Sequence, residues 1–174
     1  IKKGYQTFGE NRVQEAKHKY SNLFSQYNFN LHLIGPLQTN KVKEALTLFD
    51  TIQTIDRKKL VDEIIKVSSK LKIVKTKNYY IQINIGSENQ KSGIEKNLTK
   101  DFYEYMISNN FNISGLMSIP PNTDDPSEFF REMNDIRSSI NPNLKLSMGM
   151  SNDYKFALKK NSNLIRIGSM IFNE

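Results

Sequence analysis

The feature that most constrains this chain is the alternation of short apolar strands with amphipathic helices along its length. The segment YIQINI has the apolar pattern of a buried strand, whereas Phe129, Phe130, Met133 and Ile136 recur at the spacing of one helix face. This pattern predicts seven strands separated by six helices. Strict alternation requires parallel strands joined by right-handed crossovers, so the chain is expected to form a doubly wound sheet or a barrel.

The strand count favours the barrel. Seven strands is one fewer than the eight that close a (β/α) barrel. Residues Ile1 to Gly4 have the character of the last turn of a helix, because glycine is the usual residue just past a helix C-terminus. We therefore predict an α/β fold of the (β/α)8 TIM-barrel type, with seven strands and six helices and with the first strand missing upstream. Residues 1–174 are expected to form a single domain.

Composition excludes several kinds of chemistry and partner. The chain has no cysteine, so it has no disulfide, thiolate metal site or cysteine nucleophile, and it suits a reducing compartment. No apolar run approaches the roughly 20 residues that cross a bilayer, and we expect a cytoplasmic protein without a membrane partner. The net charge of +7 would suit nucleic acid, but the lysines are spread over nearly every predicted helix. We expect no nucleic-acid partner.

Two loops near the end of the chain contain the residue types of a phosphate site. The segment KLSMGMSNDYKFAL ends a strand, turns at Gly149 and begins a helix with Ser151 or Asp153 as its N-cap. The segment LIRIGSMIF is predicted to be the last strand, and it brings Gly168 and Ser169 close to the same end. In (β/α) barrels the loops after the last two strands commonly bind phosphate. The alternative is ordinary loop chemistry, a glycine turn and a serine cap.

Arg166 is the residue that favours a ligand site over an ordinary loop. Alternation along the strand predicts that Arg166 shares a face with Leu164 and Gly168, and that Ile165 and Ile167 point to the other face. A guanidinium within a strand that is covered on both faces is costly unless an acceptor meets it. A ring nitrogen lying below a bound phosphate would be such an acceptor. A carboxylate, or solvent at the strand end, is the alternative.

Other polar residues give weaker signals. His32 is a lone histidine on a strand, which is more often a hydrogen-bonded core or rim residue than a ligand. Gln82 and Asn84 share a face of one strand and need partners, either in a cofactor pocket or in a hydrogen-bonded interior. No spacing of histidines or carboxylates predicts a metal site.

Seven short motifs occur in a fixed order, namely FGENRVQE, HLIGPLQTNK, TIDR, QINIGSENQKSG, GLMSIPP, LSMGMSND and RIGSMIF. Together they resemble the pyridoxal 5′-phosphate (PLP) homeostasis protein family, whose barrels are related to the N-terminal domain of alanine racemase. The resemblance covers essentially the whole chain. It implies a single-domain (β/α)8-type barrel that binds PLP through a Schiff base.

The resemblance also implies roles for seven residues. Arg166 would face the pyridine nitrogen of PLP. The phosphate would be held by Ser151, Gly168 and Ser169, and the cofactor would be lined by Asn11, Met117 and Met148. The family's Schiff-base lysine ends the first strand in a motif like VSKT, and no such motif precedes FGEN. The resemblance therefore implies that this lysine lies upstream of residue 1 and that residues 1–174 contain no catalytic residue.

The function that the resemblance implies is supply or buffering of PLP rather than catalysis. An arginine keeps its proton, so the ring nitrogen that it faces stays largely unprotonated and the ring is a poorer electron sink. Alanine racemase takes a second base from another domain, and we expect none here. A non-catalytic PLP carrier is therefore favoured over a PLP-dependent racemase or related enzyme. A barrel for another phosphorylated ligand is a third possibility, PLP-dependent apo-enzymes are candidate partners, and the family favours a monomer.

Overall fold

The computed structural model describes residue 1 and residues 4–172, and within them strands alternate with helices. The strands are β1 (Thr7–Glu10), β2 (Asn30–Leu33), β3 (Thr51–Ile55), β4 (Asn78–Ile83), β5 (Ile113–Ser118), β6 (Lys145–Met150) and β7 (Leu164–Arg166). The α-helices are α1 (Val13–Tyr20), α2 (Val42–Leu48), α3 (Lys58–Ser68), α4 (Thr99–Ser108), α5 (Ser127–Ile140), α6 (Tyr154–Lys159) and α7 (Ser169–Phe172). Short 3-10 helices, Thr39–Lys41 and Lys96–Leu98, lead into α2 and α4. The predicted alternation is confirmed.

The chain divides into two compact units, Ile1–Tyr80 and Ile81–Glu174. In the first unit, β1 pairs with β2 and β2 pairs with β3, all in parallel. In the second unit, β5 pairs with β6 and β6 pairs with β7, again in parallel. These pairs have the orientation that helical crossovers impose on consecutive strands.

The core of the first unit lies around β3, whose five residues are all buried. A parallel strand covered on both faces is expected to have this continuous burial. Side chains from α2 and α3 complete the core, among them Leu46, Leu60 and Ile64. Thr54 is a polar member of β3, and its hydroxyl donates to the carbonyl oxygen of Gly35 over 2.8 Å. This hydrogen bond satisfies a hydroxyl that would otherwise be costly to bury.

The core of the second unit is formed by the buried residues of β5 and β6 with one face of each following helix. Phe102 on α4, Phe130 and Met133 on α5 and Ala157 on α6 are almost fully buried. Phe130 and Met133 are three residues apart, which is the spacing of one helix face, and this periodicity made α5 predictable.

The last strand is shorter in the structure than the sequence predicts. LIRIGSMIF is not one strand, because β7 ends at Arg166 and Ser169–Phe172 form the short helix α7. The pairing explains the early end, since Arg166 lies opposite Met150, the last residue of β6. The helical turn expected at residues 1–4 includes residues 2 and 3, which lie outside the described residues. None of the helices in the described part of the chain combines the length and apolar character needed to cross a bilayer.

Candidate functional site

Arg166 is a partly buried cation at the end of β7, in the second unit. Its Nη1 donates to Oγ of Ser147 and its Nη2 donates to the carbonyl oxygen of Ser118, each over 2.8 Å. The guanidinium therefore reaches across the middle of β6 to the carboxyl-terminal end of β5. Because the guanidinium is planar and both bonds come from its outer nitrogens, its orientation is fixed.

The surroundings of Arg166 supply little compensating negative charge. Burial lowers the pKa of Arg166 to about 10, and the carboxylate of Asp153 opposes this shift. A group with a pKa near 10 remains protonated at neutral pH. The site therefore contains a partly desolvated cation, which an acceptor atom of a ligand would stabilise.

Gly149 shows which face of β6 packs against α6. A Cβ atom on Gly149 would lie 2.6 Å from Cβ of Ala157 on α6, and its φ of +94° is in the region that only glycine adopts readily. The side chain of Ile165 is on this same side, because its Cγ2 lies 3.5 Å from that Cβ position. Neighbouring residues of a strand point to opposite faces, so Arg166 lies on the face away from α6.

A bulge in β6 sets which residues accompany Arg166. Ser147 pairs with Leu164 and Met150 pairs with Arg166, so one extra residue of β6 is accommodated between the two pairs. Met117 of β5 in turn pairs with Ser147. Because paired residues of a ladder point to the same side, Met117 and Ser147 share the face of Arg166. We call this the Arg166 face.

The turn that follows β6 lies at the same end of the sheet as Arg166, because Met150 and Arg166 are paired. The backbone N–H of Met150 donates to Oδ1 of Asp153 over 2.5 Å, and the N–H of Asp153 donates to the carbonyl oxygen of Met150 over 3.1 Å. Asp153 is the N-cap residue of α6, although its side chain makes no capping bond to the helix. Ser151 lies within the turn and is partly exposed.

Gly168 and Ser169 follow β7 after one intervening residue, Ile167, and are exposed. The carbonyl oxygen of Gly168 accepts from the N–H groups of Ile171 and Phe172, over 2.9 and 3.0 Å, at the start of α7. A Cβ atom built on Gly168 would meet no atom within 4 Å. The structure thus leaves open space beside Gly168, and the residues assigned to phosphate binding follow two paired strand ends.

The three residues expected to line the cofactor lie in different surroundings. Met117 is fully buried on the Arg166 face, and Met148 is fully buried next to Ser147. Asn11 is an exposed residue that follows β1 in the first unit. Their contact with a cofactor stays a prediction, as do the phosphate contacts of Ser151, Gly168 and Ser169.

Sequence reasoning missed Ser147 and Ser118, the two partners of Arg166. A signal for Ser147 was present, since it is a polar residue inside the otherwise apolar strand LKLSMGM. A buried hydroxyl in such a strand requires a hydrogen-bond partner, and a long cationic side chain on the next strand can supply it. Ser118 acts through its backbone oxygen, which no side-chain pattern can reveal.

Gln82 and Asn84 have partners within the second unit. Nε2 of Gln82 donates to the carbonyl oxygen of Ser92 over 3.2 Å. Asn84 lies just past β4, where Nδ2 donates to the carbonyl oxygen of Glu88 over 2.9 Å and Oδ1 accepts from the N–H of Glu88. These bonds hold the loop after β4, which supports a structural role for both residues. No cluster of three or more candidate metal ligands occurs in the described part of the chain.

His32 also has a structural partner, because Nε2 of Gln53 lies 2.8 Å from its Nδ1 and the amide can donate to it. Burial lowers the pKa of His32, and the charge of Asp50 opposes the shift. The unfolded chain therefore binds a proton more readily than the folded chain between the lowered pKa and about 6.5, and stability falls as pH decreases through that window.

We expect the replacement of His32 by asparagine to flatten the fall in unfolding free energy as the pH is lowered below about 6.5. The contribution removed is at most about 1.4 kcal/mol per pH unit, because one proton is linked to unfolding. Urea unfolding of the wild-type and His32→Asn chains across this pH range measures the difference. His18→Asn, at an exposed position, is the matched control, and an equal flattening in that variant would contradict the assignment.

Solved structures share this fold. A protein of Bifidobacterium adolescentis described as unknown matches with a TM-score of 0.87 at 25% identity, over 99% of this chain and 77% of its own. PipY of Synechococcus elongatus, solved with PLP bound, matches with a TM-score of 0.81 at 28% identity, over 97% of this chain and 82% of its own. An alanine racemase of Clostridium difficile shares the fold with a TM-score of 0.72 at 13% identity, over 98% of this chain and 46% of its own, so the fold is of the alanine racemase-like (β/α) TIM-barrel class.

Sequence relatives narrow this class to a family. The N-terminal domain of alanine racemase, as a family, matches residues 1–174. The pyridoxal phosphate homeostasis protein of Aquifex aeolicus is 37% identical over 180 residues, which cover 98% of this chain and 78% of that protein. The protein of the same name from Pasteurella multocida is 40% identical over 182 residues, which cover 97% of this chain and 76% of that protein. The chain belongs to the pyridoxal phosphate homeostasis proteins of the alanine racemase N-terminal domain family.

Proposed function

We propose that this chain binds PLP at the carboxyl-terminal ends of β5, β6 and β7 and acts as a carrier or buffer in PLP homeostasis. The observation on which the proposal rests is the guanidinium of Arg166, fixed by Ser147 and Ser118 and short of a counter-charge. The names of the relatives and the PLP-bound structure of PipY support the same ligand.

The chemistry of the residues at these strand ends suits PLP. Arg166 is a fixed donor for the pyridine nitrogen, and Met117 lies on the same face. The open space at Gly168 and the nearby turn after β6 would admit a phosphate group. In the proposal the phosphate is held by Ser151, Gly168 and Ser169, and the ring is lined by Met117, Met148 and Asn11. None of the lysines in residues 1–174 is proposed as a covalent attachment point.

The state of Arg166 favours carriage over catalysis. When bound, PLP supplies an aldehyde that reacts reversibly with amines and a ring that can accept electrons. A guanidinium with a pKa of about 10 donates a hydrogen bond at neutral pH but does not give its proton away. Arg166 would therefore orient the ring without increasing its electron demand. We extend the proposal to a cytoplasmic monomer in which residues 1–174 form one domain and which delivers PLP to apo-enzymes.

Replacing Gly168 by aspartate is expected to weaken PLP binding about tenfold or more without unfolding the chain. A side chain at this position meets open space, so the fold should tolerate it, whereas a carboxylate beside a phosphate is repulsive. Titration of the purified chain with PLP, followed by the absorbance and fluorescence of the cofactor, measures the affinity. Gly168→Ala is the matched control, because it adds a side chain without charge, and it should bind PLP more tightly than Gly168→Asp does.

Two results would contradict this proposal. If Gly168→Asp bound PLP as tightly as Gly168→Ala, the phosphate would not lie at the end of β7. The second result is racemisation of amino acids by the PLP-loaded chain at about 1 per second or faster, as judged by chiral analysis of the products. The chain would then be a racemase and not a carrier.

A further inference from the structure

The segment 66–77, KVSSKLKIVKTK, concentrates positive charge in the first unit. It contains five lysines, namely Lys66, Lys70, Lys72, Lys75 and Lys77, and no acidic residue. The lysines are therefore not evenly spread along the chain, contrary to the expectation from composition. We call residues 66–77 the lysine segment.

The backbone of the lysine segment is anchored on both sides of a short loop. On one side, the N–H groups of Lys70 and Leu71 donate to carbonyl oxygens of the last turn of α3, each over 3.1 Å. On the other side, the N–H groups of Lys75 and Thr76 donate to the carbonyl oxygen of Leu46, over 2.8 and 3.2 Å. The hydroxyl of Thr76 also donates to the carbonyl oxygen of Phe49 over 2.8 Å. Residues 72–74 therefore form a loop whose two ends are fixed.

Lys75 strengthens this anchor and is not itself available to a partner. Its Nζ donates to Oδ2 of Asp50 over 2.5 Å and to the carbonyl oxygen of Leu48 over 3.1 Å. The same nitrogen lies 4.3 Å from the ring centre of Phe24. An ammonium with three such partners has a structural role.

The loop between the anchors presents an exposed apolar side chain close in sequence to exposed lysines. Ile73 is 78% exposed, which makes it the most exposed of the large apolar side chains in the described part of the chain. Lys70 and Lys72, which come just before it in the chain, are also exposed. Lys66 lies in the last turn of α3, four residues before Lys70. Its side chain is 64% exposed, and its Nζ lies 3.4 Å from a carboxylate oxygen of Glu63. Ile73 therefore contributes little to the core of the first unit.

An exposed isoleucine next to exposed lysines favours an anionic lipid surface over other anionic partners. A nucleic-acid backbone would use the lysines but leave Ile73 unexplained, and sites for unpaired bases use aromatic side chains, which are absent from residues 66–77. The buried centres of protein interfaces are enriched in arginine and aromatic residues and depleted of lysine. Lysines close to a single aliphatic residue instead suit a bilayer, where the apolar side chain enters the headgroup region and the lysines remain at the charged surface.

We propose that the lysine segment is a peripheral contact for anionic membranes, with Ile73 inserted between headgroups and with Lys66, Lys70 and Lys72 at the charged surface. The sequence analysis expected no membrane partner. The proposal differs from that expectation, because it gives the chain a peripheral contact with the membrane surface. The contact would be weak and reversible, because one aliphatic side chain and a few lysines supply far less than a spanning helix.

Co-sedimentation with vesicles tests the proposal. The chain is expected to bind vesicles of equal parts phosphatidylcholine and phosphatidylserine, to ignore vesicles of phosphatidylcholine alone, and to be released by added salt. The Lys70→Gln, Lys72→Gln double variant should bind about 25-fold more weakly, because each lysine near such a surface contributes roughly a factor of five. Ile73→Ser should weaken binding about tenfold.

The matched control is the Lys100→Gln, Lys145→Gln double variant, which removes the same charge at exposed positions of the second unit. It should bind the anionic vesicles as the wild-type chain does. The proposal is overturned if the wild-type chain does not bind them, or if the control loses as much binding as Lys70→Gln, Lys72→Gln. It is also overturned if Ile73→Ser has no effect while the chain binds RNA with similar affinity, because that outcome identifies a general polyanion site.

Discussion

Replacement of Arg166 by methionine is expected to reduce the affinity for PLP about a hundredfold while changing the free energy of unfolding by no more than about 1 kcal/mol. The loss of affinity follows because a buried charged donor facing an acceptor atom is worth about 3 kcal/mol. Stability should change little because two effects oppose each other. Methionine removes a cation whose desolvation is costly, but it leaves Oγ of Ser147 and the oxygen of Ser118 without their donor.

Two measurements separate these effects. Titration with PLP gives the affinity, and urea unfolding followed by circular dichroism gives the stability. Arg166→Lys is the matched variant, since it keeps the charge but cannot make both hydrogen bonds from a planar group, and its affinity should fall between those of the other two chains. An Arg166→Met chain that bound PLP like the wild-type chain would remove Arg166 from the site. If Arg166→Met instead lost cooperative unfolding, the role of Arg166 would be structural.

Replacement of Gly35 by alanine is expected to lower the free energy of unfolding by about 3 kcal/mol, at the upper end of the usual cost of overpacking. A Cβ atom at this position would lie 2.2 Å from the carbonyl oxygen of Asn11 and 2.8 Å from its carbonyl carbon and Cα. These are backbone atoms, so no side-chain rotation can relieve the clash. The segments that follow β1 and β2 would have to move apart.

The control for Gly35→Ala is Gly168→Ala, in which the same methyl group enters open space and stability should stay within about 0.5 kcal/mol of the wild-type value. Urea unfolding of the three chains measures both effects. The proposed role of Asn11 adds a second readout, because Gly35→Ala displaces the backbone of that residue. PLP affinity should therefore fall even under conditions where Gly35→Ala is fully folded. Equal stability of the two alanine variants would show that the approach of Gly35 to Asn11 is not close.

The fold was predictable because each element has a periodicity that can be read directly. Phe130 and Met133 on α5 and the largely apolar, buried run of β4 indicate their own secondary structure, and alternation then sets the direction of the strands. Arg166 could be singled out for a related reason, since a charge inside an apolar strand requires a partner. The identity of that partner was not predictable, because pairing between strands is non-local and one of the acceptors is a backbone oxygen.

The errors also have physical causes. The segment LIRIGSMIF has the composition of a long strand, yet β7 ends where its partner β6 ends, and strand length depends on pairing rather than on composition alone. The lysine segment looked like part of an even distribution because exposure decides which lysines act together. Lys75 is bound inside the unit, whereas Lys70 and Lys72 lie beside an exposed isoleucine.

The bulge in β6 shifts the inward and outward alternation of the strand by one residue. Before it, Ser147 follows the alternation that places it with Met117, and after it, Met150 follows an alternation that is out of phase by one. A single deletion between them would restore regular pairing and leave Met150 opposite Arg166, so the residues downstream would keep their sides of the sheet. Loss of Gly149 should therefore leave the turn at Ser151 near the guanidinium, although it removes the glycine that lets β6 approach Ala157.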